Sequence, residues 1–196
     1  MNTPRETDLY GPVKAFLEAQ GYVVKSEVGA ADVVALRGGE PPVIVELKLG
    51  FSLTLVHQCV SRLAMSDDVY MAVATGKGKP FAKSLKNMTK LCRRLGIGLI
   101  TVRLKDELVQ VHCDPGPYTP RKSKKREGKL LAEFARRVGD PNDGGQTRVG
   151  LITAYRQDAL KVAMYLYEVG ASKGADAARE TGVDRATTMM RNDHYG

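Results

Sequence analysis

The chain of 196 residues lacks tryptophan, has few aromatic residues, and contains no apolar stretch that approaches the length of a membrane span. A helix that crosses a bilayer needs about 18 or more consecutive apolar residues, which argues against a membrane protein. The amino terminus also lacks the charged and then apolar pattern of a secretion signal. With 43% hydrophobic and 27% charged residues, the composition indicates a folded, soluble protein of one or two domains.

Cysteine is scarce as well, and the three cysteines, Cys59, Cys92 and Cys113, form no C-x-x-C pair. An odd number without metal-binding spacing argues against a zinc site and favours a reducing, cytoplasmic location. The histidines are equally dispersed, and we interpret each as structural: His57, His112 and His194. Aromatic residues make up only 6% of the chain, so there is little sign of a stacking platform for single-stranded nucleic acid.

Positive charge is abundant, with a formal net charge of +8. Residues 121–137 alone hold eight basic and two acidic side chains. Such a block is typical of a protein that binds a polyanion, and nucleic acid is the partner we expect. The alternative is a basic segment without a partner.

Two apolar, β-branched runs, Asp32–Leu36 and Val43–Leu49, flank a Gly-Gly-Glu-Pro-Pro connector. This pattern predicts an antiparallel hairpin with a medium-length loop. Because side chains alternate along a strand, Glu46 and Lys48 should share one face of the second strand, and its valines the other.

A loop centred on Gly39 places Asp32 directly opposite Glu46. Like charges that face each other on adjacent strands are destabilising, and a cation between them would remove the repulsion. Two carboxylates and a lysine on one patch suit a hard divalent metal ion and a phosphate. The alternative is that Glu46 and Lys48 belong to a solvated face of an edge strand.

The surrounding pattern predicts a mixed α/β core over residues 1–114. Its further elements are helices over Thr3–Gln20, from Ser52 or Thr54 to about Met65, and over Phe81–Leu95, and strands over Tyr22–Val28, Val69–Ala74, Ile97–Leu104 and Glu107–His112. Glu6 fits a capping box that begins at Thr3, which competes with any role at the hairpin. The loop Gly76–Pro80 lacks the spacing of a phosphate-binding P-loop, so an ordinary surface loop is favoured.

A proline-rich stretch after Asp114 predicts a domain boundary. We expect residues 115–145 to form a basic linker with a helix over Lys129–Val138, and residues 146–196 to form a helical, winged-helix-like domain. Its predicted helices are Thr153–Val169, Ser172–Thr181 and Asp184–Arg191.

The turn between the last two helices contains Gly182 and resembles that of a helix-turn-helix, with Asp184 as N-cap of the last helix. Thr187 and Thr188 on this helix are candidates to face a nucleic-acid groove. A plain three-helix packing unit has the same pattern. The candidate nucleic-acid-binding residues of the chain are Arg121, Lys122, Lys124, Lys125, Arg126, Arg185 and Arg191.

Asp32, a fourteen-residue step to Glu46, and Leu47-Lys48 on the same strand resemble the motif of the PD-(D/E)XK nuclease superfamily, which has a restriction-endonuclease-like fold. Nearly the whole chain is similar to an uncharacterised bacterial family described as PD-(D/E)XK phosphodiesterases. The segments that carry this similarity are Glu6–Tyr10, Phe16–Tyr22, Asp32–Ala35, Tyr155–Leu160 and Arg191–Gly196.

The resemblance implies that Asp32 and Glu46 bind a metal ion, with the carbonyl oxygen of Leu47 as a third ligand. Lys48 would hold or activate the attacking water and contact the scissile phosphate. The implied ion is Mg²⁺ (or Mn²⁺), which neutralises charge on phosphoryl oxygens and lowers the pKa of a bound water.

Glu6 and Gln58 match positions where such enzymes place auxiliary catalytic residues. The sequence also departs from the pattern, because Ala31 stands where proline is frequent and Arg62 stands where some branches have tyrosine. Related sequences continue into a β-wing after the point that corresponds to His194-Tyr195-Gly196, so the wing is expected to be missing here.

The sequence therefore predicts a Mg-dependent hydrolase, a nuclease or phosphodiesterase that acts on DNA. The alternative is a DNA-binding protein without catalysis that uses the nuclease-like core as a scaffold. An RNA or small-nucleotide phosphodiesterase is a third possibility, against which the scarcity of aromatic residues counts only weakly.

Overall fold

The computed structural model of the chain describes residues 3–147 and 150–192. The predictions that concern His194 and the wing after Tyr195-Gly196 lie outside these residues. The chain divides into two compact units, Met1–Arg121 and Lys122–Gly196. The three-part division with a separate linker over 115–145 stays a prediction.

The first unit is a mixed sheet covered by helices. A 3-10 helix, Glu6–Leu9, runs directly into the first α-helix. The elements are α1 (Tyr10–Glu18), β1 (Val23–Val28), β2 (Ala31–Leu36), β3 (Val43–Lys48), α2 (Leu53–Arg62), β4 (Val69–Ala74), α3 (Gly78–Leu95), β5 (Gly98–Arg103) and β6 (Leu108–Cys113). The six strands lie in sequence order, with β3, β4 and β5 parallel and the remaining neighbours antiparallel. This α/β architecture agrees with the predicted core.

The hairpin of β2 and β3 has the predicted register. Val33 pairs with Val45 and Ala35 with Val43, so the two strands mirror each other about Gly39. Extending the same register by one pair places Asp32 opposite Glu46. The connector explains the register, because turn type and loop length fix the pairing of the strands in a hairpin.

The alternation of side chains gives the sheet two buried faces. One face, which includes Val33, Val45 and Leu47, packs against Leu9 and Val13 of the amino-terminal helices. The opposite face packs against α2 and α3. Glu46 alternates with Val45 and Leu47, so its carboxylate lies on the side of α2.

The start of the first helix differs from the prediction. The 3-10 helix begins after Arg5, whose backbone N–H donates a hydrogen bond of 2.8 Å to the carboxylate of Asp8. The predicted capping box of Thr3 and Glu6 is therefore wrong, since Asp8 performs that role. Glu6 is left available for a contact elsewhere.

The second unit contains four helices within its described residues, 122–147 and 150–192. They are α4 (Lys124–Arg136), α5 (Ala154–Val169), α6 (Gly174–Thr181) and α7 (Ala186–Met190). The last three pack around a small core that includes Val162, Ala177, Val183, Ala186 and Met189. No strand occurs among these described residues, and the winged-helix character stays a prediction.

The helices of this unit begin at other residues than predicted, by one or two positions for α5, α6 and α7 and by more for α4. Helix α4 begins at Lys124, five residues before the predicted start, because the Ser123 hydroxyl accepts a hydrogen bond from the Arg126 N–H and caps it. The N-cap of α7 is Arg185, so the predicted cap by Asp184 is wrong. Gly182 adopts the left-handed conformation expected for the turn between α6 and α7.

Across the described parts of the chain, 3–147 and 150–192, no helix is both long and apolar enough to cross a membrane.

Candidate active site on the hairpin

Asp32 lies near the start of β2 and is partly buried. Its Oδ2 accepts a hydrogen bond of 2.8 Å from the backbone N–H of Leu47, on the facing strand. The bond fixes the carboxylate against β3, beside Glu46. One oxygen of Asp32 is thus committed to the hairpin, and Oδ1 remains for another partner.

Glu46 is fully buried, with 0% of its surface exposed. Its Oε1 accepts a hydrogen bond of 2.7 Å from Nε of Arg62, at the carboxyl end of α2. Its Oε2 has no hydrogen-bond partner among the described residues. A buried carboxylate oxygen without a partner is costly, and it calls for a cation or a donor that the chain does not itself provide.

The pKa of Glu46 is raised above its usual value, mainly because burial disfavours the charged form. The hydrogen bond from Arg62 opposes this rise, while the charge of Asp32 adds to it. The effect of Asp32 is the repulsion that the facing register predicts.

Lys48, at the end of β3, pairs with Glu6 of the 3-10 helix at 2.8 Å between Nζ and Oε2. Glu6 thus contacts the hairpin, where an auxiliary catalytic residue was predicted, rather than capping its helix. The hydrogen bond from Lys48 to Glu6 raises the pKa of the lysine above its usual value. Lys48 is therefore a cation at neutral pH, with further N–H donors available.

A cleft of about 350 Å³ opens beside these groups. Its lining includes Glu6, Glu27, Asp32 and Leu47. The cleft is rich in carboxylates, which is unusual for a protein with a net charge of +8 and favours a positively charged occupant.

The arrangement suits a single hard metal ion. No cluster of three or more His, Cys, Asp or Glu side chains that could bind a metal occurs within residues 3–147 and 150–192. The candidate donors are the carboxylates of Asp32 and Glu46 with, by prediction, the Leu47 carbonyl. All are oxygen ligands of the kind that Mg²⁺ and Mn²⁺ prefer, and the unpartnered Oε2 of Glu46 fits such an ion.

Gln58 is a predicted catalytic residue on α2. It is partly buried on α2, one helical turn before Arg62, and therefore lies on the same side of that helix. Among the described residues, no hydrogen bond joins Gln58 to Asp32 or Glu46. Its auxiliary role stays a prediction.

The predicted nucleic-acid-binding residues lie away from the hairpin in sequence. Arg121 ends the first unit, and the others belong to the second. Lys122 precedes α4, while Lys124, Lys125 and Arg126 form its first turn, and all are exposed. Arg185 and Arg191 flank α7 and are also exposed.

Arg62 is the site residue that the sequence did not identify. The sequence showed only that it stands where tyrosine occurs in some relatives. The signal available was its spacing of four residues from Gln58, which puts both side chains on one face of α2. The contact with Glu46, sixteen residues earlier in the chain, depends on how the helix packs on the sheet.

No curated protein matches the chain in sequence. The hairpin residues precede the segment that a known family covers, so their assignment rests on the geometry above. That segment, residues 100–196, matches the family described as "Putative PD-(D/E)XK phosphodiesterase", which confirms the resemblance drawn from the sequence.

Proposed function

We propose that the protein is a metal-dependent phosphodiesterase that cleaves DNA. The observation that carries the proposal is the pair of opposed carboxylates on the hairpin, with the buried Oε2 of Glu46 unpartnered and Lys48 on the same strand. The family match supports hydrolysis of phosphodiesters and thereby a nucleic acid as substrate.

Asp32 and Glu46 would hold Mg²⁺ or Mn²⁺ together with the carbonyl of Leu47. The bound ion would supply charge neutralisation at the phosphoryl oxygens and a water of lowered pKa. The protein fixes one oxygen of each carboxylate, through the Leu47 N–H and the Arg62 guanidinium, before substrate arrives. Such preorganisation avoids the cost of reorienting the ligands during the reaction.

Lys48 acts as a fixed positive charge rather than as a base. Its pKa is raised by the hydrogen bond to Glu6, so it keeps its proton at neutral pH. It can donate hydrogen bonds to a phosphate oxygen and to the attacking water, which orients that water. Glu6 is a positioning residue that holds the ammonium group near the end of β3.

A second cleft, of about 490 Å³, supports a polymeric substrate. It lies where the parallel strands β3, β4 and β5 end, and its lining includes Leu49, Leu104, Lys77 and Lys105. Among the described residues, Lys77 and Lys105 have no ion-pair partner. Apolar side chains beside two free ammonium groups suit a nucleotide that flanks the scissile phosphate, with its sugar or base on the apolar part.

The exposed basic residues of the second unit support DNA as the polymer. Lys124, Lys125 and Arg126 occupy the first turn of α4, where positive charge opposes the helix dipole and costs roughly 0.3–1 kcal/mol per residue at low ionic strength. A DNA phosphate bound at this turn would neutralise the positive charge and thereby remove this free-energy cost. We further propose that α6 and α7 form a helix-turn-helix-like unit, in a winged-helix-like domain, that contacts the duplex through Arg185 and Arg191.

The decisive experiment is a cleavage assay on purified protein with duplex DNA and Mg²⁺ or Mn²⁺. We expect cleavage that disappears on addition of EDTA and in Asp32→Asn. Asp67→Asn, which changes an exposed aspartate of the same unit, is the matched control and should cleave normally. Undiminished cleavage by Asp32→Asn would overturn the assignment of the site.

The alternative, a DNA-binding protein without catalysis, predicts a different pair of results. Such a protein would bind DNA in a salt-dependent manner and show no Mn²⁺ binding in a calorimetric titration. The unpartnered oxygen of Glu46 favours the enzyme, because a scaffold has no need for an unsatisfied buried carboxylate.

A further inference from the structure

The facing register of Asp32 and Glu46 calls for a cation between or beside them. The structure supplies one from the chain itself. The guanidinium of Arg62 contacts Oε1 of Glu46 at 2.7 Å, and the exposed fractions of these side chains are 12% and 0%. An arginine that is buried against a carboxylate keeps its charge under all ordinary conditions.

Arg62 does more than neutralise Glu46. Its terminal N–H₂ group also donates a hydrogen bond to the carbonyl oxygen of Ala30, in the turn that precedes β2. This carbonyl is two residues before Asp32. One side chain of α2 therefore ties the strand of Glu46 to the turn that precedes the strand of Asp32.

The committed oxygens limit what a metal can contact. Oε1 of Glu46 is bonded to Arg62, and Oδ2 of Asp32 is bonded to the Leu47 N–H. One oxygen of each carboxylate remains. Two carboxylates that each offer one free oxygen suit one divalent ion, whereas two-metal sites commonly share a carboxylate that contacts both ions.

We propose that Arg62 occupies the place of a second cation, so that the site binds a single divalent metal ion. The inference rests on the proposed function, since it concerns the same carboxylates. Arg62 is a positioning residue in this scheme, because it acts on the metal and the substrate through Glu46.

The test is a calorimetric titration of the purified protein with Mn²⁺ in the absence of DNA, supported by electron paramagnetic resonance to count bound ions. The wild type should bind one ion per chain, and Asp32→Asn should lose it. Arg62→Met frees Oε1 and removes a positive charge. This variant should bind Mn²⁺ at least tenfold more tightly or take up a second ion.

Two further variants separate the role of Arg62 from general effects. Arg94→Met makes the same change in net charge at an exposed position on α3 and should leave the affinity within about twofold. Arg62→Lys keeps the positive charge and should keep a single ion. If Arg62→Met is unfolded without metal because its buried carboxylate has lost its partner, Mn²⁺ should restore the folded state.

Each contrary result has a distinct meaning. Two ions in the wild type, unchanged or weaker binding in Arg62→Met, a second ion in Arg62→Lys, or a failure of Mn²⁺ to rescue an unfolded Arg62→Met would overturn the role of Arg62 alone. The absence of any Asp32-dependent ion in the wild type would overturn the proposed metal-dependent function as well.

Discussion

The ion pair of Lys48 and Glu6 joins residues that are 42 positions apart, at the point where β3 ends. The lysine would contribute a preorganised positive charge to a phosphate, an effect that typically contributes about 10²–10³ in rate. The glutamate would only orient it. Substitution of Lys48 should therefore lower the rate of cleavage more than substitution of Glu6.

We predict that Lys48→Met lowers kcat for DNA cleavage by about 10² or more, because no other ammonium replaces the lost charge. Glu6→Gln should lower kcat by only about tenfold, since Lys48 stays charged but is held less firmly. Single-turnover cleavage assays at saturating Mn²⁺ measure both. Lys14→Met, on the exposed side of α1, is the control. Equal losses in the two site variants would contradict the assigned roles.

His112 offers a prediction on stability. Its Nε2 lies 2.8 Å from the hydroxyl of the buried Thr101, and burial lowers the pKa of the imidazole below its usual value. The folded state therefore binds a proton less readily than the unfolded state. Stability should fall as pH drops through the unfolded pKa of about 6.5 towards the lowered folded value.

We predict that His112→Gln, which can keep a hydrogen bond but cannot titrate, reduces the loss of stability between about pH 7.5 and pH 5. The urea midpoint of unfolding at the two pH values measures this. His57→Gln, at an exposed position of α2, should behave like the wild type. An acid sensitivity of His112→Gln equal to that of the wild type would refute the assignment.

At the scale of elements, the hairpin was predictable because its pattern is local. Dense β-branched runs on both sides of a glycine-proline connector predict a hairpin whose loop length sets the register, and the observed pairs agree with it. The facing of Asp32 and Glu46 followed from that register alone. Strand β4 was predicted with its observed bounds, Val69–Ala74, for the same reason.

The contacts made by helices could not be predicted in this way. Whether Glu6 caps its helix or reaches Lys48 depends on Asp8 taking the cap, and both acids fit the local pattern. The pairing of Arg62 with Glu46 depends on how α2 packs on the sheet. Sequence spacing indicates which residues share a helix face but not what that face contacts.

The ends of the parallel strands give a prediction for substrate length. Lys77 and Lys105 line the cleft beyond Lys48, where a nucleotide next to the cleaved phosphate would lie. Lys77→Gln/Lys105→Gln should lower kcat/KM for an oligonucleotide tenfold or more. The same variant should affect a small diester such as bis(p-nitrophenyl) phosphate far less, because that molecule does not extend into the cleft. Equal losses on both substrates would show that these lysines do not bind a neighbouring nucleotide.

At the scale of the whole molecule, the two units divide the proposed tasks. The first unit carries the carboxylates, and the second carries most of the basic block. The block of basic residues was visible in the composition. That its lysines and arginine would lie in the first turn of a helix was not visible, because α4 begins at Lys124 rather than at the predicted Lys129. A hydroxyl cap at Ser123 decides that start.

The basic first turn of α4 gives a prediction on DNA affinity. Changing Lys124, Lys125 and Arg126 together to Gln should weaken binding and reduce the dependence of log K on log salt by about 0.9 per lost phosphate contact. Removing positive charge from this turn does not destabilise the helix, so lost binding would not reflect unfolding. Fluorescence anisotropy with labelled duplex DNA, over a series of salt concentrations, measures the slope.

The matched control changes Lys83, Lys86 and Lys90 to Gln. These exposed lysines of α3 carry the same total charge in the first unit. The control should retain most of the wild-type slope. If both triple variants reduce the slope equally, DNA affinity depends only on the net charge of the protein, and α4 is not a specific contact.

The buried cysteines have a practical consequence for measuring how the molecule opens. All three thiols of the sequence, Cys59, Cys92 and Cys113, are buried in the first unit. A thiol reagent should therefore label the native chain only when the sheet opens. Because the second unit has no cysteine, labelling kinetics of the unmodified protein would time the unfolding of the first unit without interference from the second.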